Sequence, residues 1–259
     1  MKTKLFIATL VMSFMTIGAH AQENFYGLFN HLSVGVSVGT TGIGIDAAMP
    51  INNYFQVRAG VDFVPNIKFD TDLDIDAPEV DGYTIPNNID VEGKVGFTNG
   101  KILVDFYPFK RSSFHVTAGA YFGSSKVVKA YNKEYGLLLD LAKYNNDVEA
   151  GLLPGMDKVG VELDDYLLEP DDNGNVNAYI KTASFKPYLG IGIGRAVPKK
   201  RIGLMFDAGV QFWGSPKVYC NDHKLTKEDV GGEGGDIMET LSKVKVYPVI
   251  NLRICGRIF

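Results

Sequence analysis

Two groups of ionisable side chains are the candidates for chemistry in this sequence. The first is a pair: Asp105 and His115 lie at equal distances from a turn near residue 110, so they would face each other across a hairpin. An Asp–His pair is part of many hydrolytic triads. The sequence places no Ser beside this pair, however, and buried carboxylates and histidines more commonly belong to ion-pair networks. We therefore expect a structural role for the pair, and an enzyme is the last of the alternatives.

The second group is the run FDTDLDID at 69–76, which has a carboxylate at every second position. Alternate side chains of an extended segment share one face. Four carboxylates would therefore stand close together: Asp70, Asp72, Asp74 and Asp76. Oxygen ligands of this kind suit Ca²⁺ and Mg²⁺, so the run predicts loosely bound cations, with a solvated acidic strand extension as the plainer alternative. No other cofactor is expected.

The elements that must position these groups are strands, because apolar and polar residues alternate with a period of two. In YFQVRAGVDFV, Phe55 and Val61 share the apolar face, while Arg58 and Asp62 share the other. Strands of about 9–12 residues are long enough to cross a bilayer when they are tilted. Eight segments show the pattern: 32–39, 42–48, 54–64, 102–109, 114–122, 185–195, 202–214 and 249–259.

The connections between these segments alternate in length. Short turns lie near 49–54, 108–113 and 197–201, and long segments at about 65–92, 124–182 and 214–245. Short periplasmic turns and long extracellular loops are typical of bacterial outer-membrane barrels. The sequence therefore predicts an all-β fold: a closed antiparallel up-and-down transmembrane barrel of eight strands. The alternative is ten strands, if Asn99-Gly100 is a hairpin turn rather than a bulge.

An eight-stranded barrel encloses just enough room for side chains. Its inward polar residues would form a luminal network: Asp46, Arg58, Asp62, Asp105, His115, Asp207 and Arg253. Inward glycines such as Gly190, Gly192 and Gly194 would leave a narrow path if neighbouring side chains do not fill it. In that case the protein would be a porin-like channel whose luminal charges set the selectivity.

The first 21 residues, MKTKLFIATLVMSFMTIGAHA, have the layout of a cleaved secretory signal peptide, with two lysines, an apolar run and Ala-His-Ala. Residues 22–259 would then be a single exported barrel domain. The two cysteines, Cys220 and Cys255, do not make a disulfide scaffold. They would lie near opposite membrane faces, too far apart to be bonded. A formal net charge of −4 gives no reason to expect nucleic acid as a partner.

Four segments carry a resemblance to a known family: SVGVSVGTTGIGIDAAMPINNYFQVRAGV, NGKILVDFYPF, FKPYLGIGIGR and KKRIGLMFDAGVQFWGSPKV. Together they resemble a family of small, porin-like outer-membrane β-barrel proteins of Gram-negative bacteria, similar to the OmpA-type transmembrane domain and to OmpW. The final Phe259 also resembles the C-terminal signal of outer-membrane proteins. It lies one position out of phase with the apolar face that ends at Ile258, which predicts either a bulge or a place at the rim.

The resemblance implies a monomer in the bacterial outer membrane, surrounded by lipid and lipopolysaccharide, and leaves the activity open because fold does not imply function. Residues 65–92 carry eight carboxylates and one lysine. We therefore expect a structural or surface-interaction role through acidic extracellular loops that contact cations, lipopolysaccharide or an external partner. A helix within 132–148 would pack on the barrel mouth or bind that partner. A narrow channel and an outer-membrane lipid-modifying enzyme are the second and third hypotheses.

Overall fold

The structure, a computed structural model, describes residues 26–163, 166–225 and 245–259. Residues 1–21, predicted to be a signal peptide, lie outside this part. The described elements in chain order are β1 (Ser33–Gly39), β2 (Gly42–Pro50), β3 (Phe55–Asp74), β4 (Asn88–Phe106), β5 (Phe114–Gly123), β6 (Lys126–Asn132), α1 (Leu139–Glu149), β7 (Val161–Leu163), β8 (Tyr166–Leu168), β9 (Asn177–Lys181), β10 (Phe185–Ile193), β11 (Ile202–Phe212), β12 (Lys217–Cys220), β13 (His223–Lys224) and β14 (Val246–Arg257).

Eight of these strands form a closed barrel, which confirms the predicted fold. Each of β1 to β5, β10, β11 and β14 pairs antiparallel with its neighbour, and β14 returns to pair with β1. Closure leaves no open sheet edge around the barrel, so its backbone donors and acceptors find partners in neighbouring strands.

The barrel wall is apolar outside and polar inside. Along β1 the valines Val34, Val36 and Val38 are exposed, while Ser33 and Ser37 are buried. The other strands continue this exposed apolar surface, with Ile43, Ile45, Val61, Ile102, Val104, Leu189, Ile191, Ile193, Ile202, Leu204, Ile250, Leu252 and Ile254. Exposed phenylalanines mark its outer end: Phe63, Phe122, Phe185 and Phe212. The period-two pattern of the sequence is therefore realised with its apolar face turned outwards.

The strand count is settled by β4, which runs without interruption through Asn99 and Gly100. The ten-strand alternative is therefore wrong. The irregularity lies on the partner strand, where the register of β3 shifts between Val64 and Ile67. A bulge reverses the face on which later residues of its strand lie. Because of it, Asp62 points into the barrel, whereas the aspartates farther along β3 point away from the interior.

Past the exposed phenylalanines, the same sheet continues beyond the barrel on one side. There the outer halves of β3 and β4 pair with each other, β6 is added next to β4, and β9, β12 and β13 follow, in the order β3-β4-β6-β9-β12-β13. We call these six strand segments the outer sheet, and the outer sheet with the segments 75–87 and 133–176 the outer cap. The predicted loops 65–92 and 124–182 are therefore folded. Of 214–245, residues 226–244 lie outside the described part.

The outer cap has its own hydrophobic core. Ile89 and Val91 of β4 pack with Leu138 and Leu141 at the start of α1, and both leucines are 0% exposed. Burial of a leucine contributes about 2 kcal/mol. An 11-residue helix is too short to persist alone, so α1 owes its stability to this contact. The helix predicted in 132–148 therefore exists, but it packs on the outer sheet.

The end of the chain lies at the rim of the barrel. The alternation of β14 holds up to Cys255 and is lost after Arg257, and Ile258 and Phe259 are both exposed, at 64% and 59%. Hydrogen bonds between Leu32 and residues 258–259 continue the pairing beyond the strand. No bulge is present in the pairing of β14 with β1 or β11. Of the two explanations for the phase of Phe259, the rim position is the one observed.

Both cysteines are buried and free of disulfide bonds. Cys220 belongs to the core of the outer cap. Cys255 lies at the end of the barrel that carries the short turns, which we call the turn end, and its thiol is near the carbonyls of Arg195 and Gly203. In the part of the chain that the structure describes, no helix has the length and apolarity to cross a membrane.

Candidate functional site

The seven residues predicted to form a luminal network all lie inside the barrel. Asp46, Arg58, Asp62, Asp105, His115, Asp207 and Arg253 are each 4% exposed or less. They form two clusters, and residues of both line one small cavity inside the barrel.

The first cluster is centred on Arg58 of β3. Its guanidinium donates to Asp105 at 2.7 Å and to Asp207 at 2.8 Å. Thr117 donates its hydroxyl to the same Asp105 oxygen at 2.7 Å, and His115 Nε2 lies 2.8 Å from Asp207. One cation therefore ties strands β3, β4 and β11 together across the barrel.

The predicted contact between Asp105 and His115 is wrong. Asp105 pairs in register with Thr117 rather than with His115. The turn between β4 and β5 is centred one residue later in the chain than the sequence indicated. The residue opposite Asp105 is therefore two positions farther along β5, and it still faces the barrel interior. His115 reaches Asp207 instead, and Gly192 makes this possible. A Cβ at Gly192 would lie 2.5 Å from His115 Nε2.

The second cluster holds Asp46 and Asp62 between two cations. Arg253 donates from Nε to both Asp46 oxygens, at 2.8 and 3.0 Å. Lys101 contacts Asp62 at 2.6 Å and Asp46 at 3.7 Å. Sequence reasoning missed Lys101 because Asn99-Gly100 suggested that the strand began after it. The alternation did indicate its position, since Lys101 is four residues before Asp105 and the two side chains therefore share the inward face of β4.

In the described part of the barrel, side chains occupy the space beside the inward glycines. A Cβ at Gly35 would lie 2.3 Å from the Arg253 guanidinium, so neighbouring side chains fill the space that a glycine vacates. A cavity of about 10 Å³ lies among Arg58, Lys101 and Tyr188, which is about the room that one water molecule needs.

The turn end of the barrel is covered by the chain itself. Ala196 and Val197, between β10 and β11, are both 0% exposed. Their backbone amides donate to the Tyr107 hydroxyl at 3.0 Å and to Gln56 Oε1 at 2.9 Å. Tyr26 is buried against this loop, and its hydroxyl donates to the Val197 carbonyl at 2.6 Å.

The two ring nitrogens of His115 are both occupied. Nε2 contacts the Asp207 carboxylate, and Nδ1 lies 3.3 Å from the Ser113 carbonyl oxygen. Neither nitrogen is directed at a hydroxyl, so this geometry does not resemble a nucleophile with its base.

The four candidate cation ligands are not gathered around one point. Asp70, Asp72 and Asp74 belong to β3 and are exposed, whereas Asp76 lies beyond the end of the strand. Asp70 forms an ion pair with Lys133 at 3.1 Å. Asp72 shares a hydrogen bond with Asp90, which raises its pKa. Within residues 26–163, 166–225 and 245–259, no group of three or more His, Cys, Asp or Glu side chains has an arrangement suited to a metal ion.

No protein-family model and no curated protein sequence matches the chain. Among solved structures, CarO2 of Acinetobacter baumannii is similar over 88% of this chain and 98% of its own, with 19% identity and a TM-score of 0.44. CarO of Acinetobacter baumannii is similar over 89% and 99%, with 15% identity and a TM-score of 0.43. A major outer membrane protein from Thermus thermophilus is similar over 88% and 98%, with 16% identity and a TM-score of 0.34.

Proposed function

We propose that the protein is a monomeric outer-membrane barrel, sealed to solutes, that presents the outer cap at the cell surface for structural or surface-interaction roles. The observation that carries this proposal is the inversion of the barrel wall. Water-soluble monomers rarely expose continuous apolar patches larger than a few hundred Å², yet here exposed aliphatic side chains occur on strands around the barrel. Lipid is the surrounding in which such a surface is stable.

The matched pair Ile191→Lys and Leu152→Lys tests the membrane part of the proposal. The two side chains are 53% and 67% exposed, so in water both substitutions would be nearly neutral. In a bilayer, a lysine on the lipid-facing wall costs about 2–4 kcal/mol near the midplane. We expect Ile191→Lys to lose folding yield in phosphatidylcholine vesicles, measured by the mobility shift between boiled and unboiled samples, and Leu152→Lys to fold normally. Equal behaviour of the two variants would contradict the proposal.

The packing of the lumen supports sealing rather than conduction. Arg58 spans the interior, the described cavity is about the size of one water, and the loop with Ala196 covers the turn end. We expect residues 22–259, refolded into planar bilayers, to give no reproducible conductance steps. Steps that disappear in Asp105→Asn would favour the narrow channel instead.

The outer cap is the part of the protein available to external partners. It is folded around its own core and displays apolar side chains such as Tyr135, at 81% exposure, and Leu139, at 52%. Lipid modification as an enzymatic activity has less support, because neither ring nitrogen of His115 is directed at a nucleophile.

A further inference from the structure

The outward face of the outer sheet carries a row of lysines and tyrosines. Register pairs Lys68 with Lys94, and Lys94 with Lys129. The row continues through Tyr179 and Tyr219 and reaches Lys224 on the last strand. Paired residues of neighbouring strands lie on the same face. Six strands at about 4.8 Å spacing make this row about 24 Å wide.

A second row lies one step nearer the barrel. Lys126 pairs with Lys181, and Lys181 pairs with Lys217. We call the two rows together the basic belt: Lys68, Lys94, Lys126, Lys129, Lys181, Lys217 and Lys224, with Tyr179 and Tyr219. The opposite face of the same strands, with Val91, Ala178 and Val218, belongs to the core of the outer cap. The belt therefore faces away from the protein.

Tyrosine rings hold several of these ammonium groups in place. Lys126 Nζ lies 3.6 Å from the centroid of the Tyr179 ring, and Lys181 Nζ lies 5.8 Å from that of Tyr219. The two rings stack with centroids 5.1 Å apart. Cation–π contacts of this kind orient a lysine without neutralising its charge.

Few carboxylates neutralise the belt. Glu92 contacts Lys68 and Lys94 at 3.1 and 3.0 Å, and Asp222 lies 3.8 Å from Lys126. The four remaining lysines form no ion pair with another described residue: Lys129, Lys181, Lys217 and Lys224. The aspartates of the acidic run at 69–76 lie farther from the barrel, where Asp72 pairs in register with Asp90.

The belt follows directly after the apolar wall. Lys126 comes four residues after the exposed Phe122, and Lys181 comes four residues before the exposed Phe185. The phenylalanines mark the outer end of the apolar surface, so the belt lies just beyond it. In a membrane barrel this is the level of lipid headgroups, where lysines and aromatic side chains anchor the protein.

We propose that the basic belt binds the phosphate groups of anionic lipid headgroups in the surrounding leaflet. This inference rests on the proposed function, because the belt meets headgroups only if the apolar wall lies in lipid. Charge complementarity between unpaired ammonium groups and phosphate, together with continuity with the apolar wall, favours a lipid over a soluble partner. The belt would hold a collar of lipid around one side of the outer cap.

The test uses the triple variant Lys129→Gln, Lys181→Gln, Lys217→Gln, because these lysines have no carboxylate partner among the described residues whose loss would disturb the fold. The matched control removes the same charge at the other end of the barrel, with Lys110→Gln, Lys199→Gln and Lys200→Gln. Both proteins are inserted in phosphatidylcholine discs. Trp213, the single tryptophan, lies just before β12 and serves as the donor for energy transfer to dansyl-labelled, bisphosphorylated lipid A.

We expect the triple variant to need about tenfold to a hundredfold more lipid A for half-maximal transfer at about 0.1 M salt, since each surface lysine contributes about a factor of five against an anionic membrane. The control variant should match the unmodified protein. Labelled lipid A without phosphates should give weak transfer with all three proteins.

Four outcomes would overturn the inference. The triple variant could bind like the unmodified protein, or phosphate-free lipid A could bind equally well. Inorganic phosphate at millimolar concentration could displace the lipid completely, which would assign the belt to free phosphate. A soluble polyanion such as heparin could displace it equally well, which would assign the belt to a soluble partner. If the protein inserts but shows no preference for anionic lipid, only the lipid-binding role of the belt is refuted. If the protein fails to insert into the discs, both that role and the proposed function are refuted.

Discussion

Inside the barrel a network of charged side chains is deeply buried, whereas the outer cap is built around a cluster of buried apolar side chains. Arg58, Asp105 and Asp207 are 4% exposed or less, and Leu138 and Leu141 of the cap are 0% exposed. The surroundings explain the difference. In the proposed membrane setting the apolar wall faces lipid, so the interior needs only small apolar clusters and can otherwise be filled by paired charges. A cap that stands in water must bury its apolar residues within itself.

The two regions therefore respond differently to the loss of one side chain. A buried ion pair that loses one partner leaves an uncompensated charge, whereas a hydrophobic core that loses methyl groups gains a cavity. Two substitution experiments and one chemical modification probe these regions, in order of decreasing effect.

The largest effect is expected for Arg58→Met. This change leaves Asp105 and Asp207 without their cation, and we expect the barrel to lose about 3–5 kcal/mol of unfolding free energy. Urea unfolding in phosphatidylcholine vesicles, followed by the gel mobility shift, measures the loss. The exposed Arg201→Met is the control and should be nearly neutral.

A charge-neutral version sharpens this experiment. Arg58→Met combined with Asp105→Asn and Asp207→Asn removes the cation and both anions, so no charge stays uncompensated. We expect it to be more stable than Arg58→Met alone. If both variants unfold at the same urea concentration, the charge balance of the interior does not determine the stability of the barrel.

A smaller and local effect is expected for Leu141→Ala in the outer cap. The substitution opens a cavity next to Leu138 and should cost about 3 kcal/mol of local stability. Hydrogen exchange of α1 and its contacts should accelerate, while the mobility shift of the barrel stays unchanged. Leu152→Ala, at a side chain that is 67% exposed, is the matched control. Loss of the mobility shift in Leu141→Ala would mean that cap and barrel unfold as one unit.

The smallest effect concerns the chemistry of Cys220 in the cap core. Burial raises the pKa of this thiol to about 12, so at pH 8 only about one molecule in ten thousand carries the reactive thiolate. Iodoacetamide should therefore modify Cys220 at least tenfold more slowly than in the unfolded chain, as measured by peptide mass mapping. Leu141→Ala should accelerate the reaction. Fast modification of the unmodified protein would show that the cap core is open.

The stability of the outer cap should decrease at high pH. Because the pKa of Cys220 is higher in the folded state than the ordinary value of 9.0, ionisation favours the unfolded cap. The protonated Cys220 thiol contributes fully to the stability of the cap below about pH 9, and this contribution decreases as the pH rises towards 12.

Sequence reasoning was most successful where one pattern repeats along a strand. The eight barrel strands and their inward polar residues follow from alternation together with the lengths of the connections, because a strand has only two faces and short turns that alternate with long loops are typical of a membrane barrel. It failed where a pairing depends on turn geometry. The position of the turn between β4 and β5 decided whether His115 meets Asp105 or Asp207, and the residues of that turn do not specify it. It also missed Lys101, because a Gly in the middle of a strand suggests a turn.

The outer cap was the least predictable part. The sequence suggested a helix in 132–148 and an acidic strand extension, and both exist, but their arrangement depends on contacts between residues far apart in the chain. Tyr83 donates its hydroxyl to Asp147 at 2.6 Å, and Asn145 holds Val159 by two hydrogen bonds, at 2.7 and 2.9 Å. Period-two signals in β6, β9 and β12 are only four to seven residues long, too short to be recognised without their partners.

The sequence by itself determined which residues share a face of each barrel strand, since successive side chains of a strand point to opposite faces. Only the tertiary structure decided what each face meets. The bulge between Val64 and Ile67 sends the aspartates of β3 away from the interior. The cross-strand registers of the outer sheet align lysines from separate strands into the basic belt. Such features depend on backbone pairing between distant segments, and pairing is fixed by the whole fold rather than by any one stretch of residues.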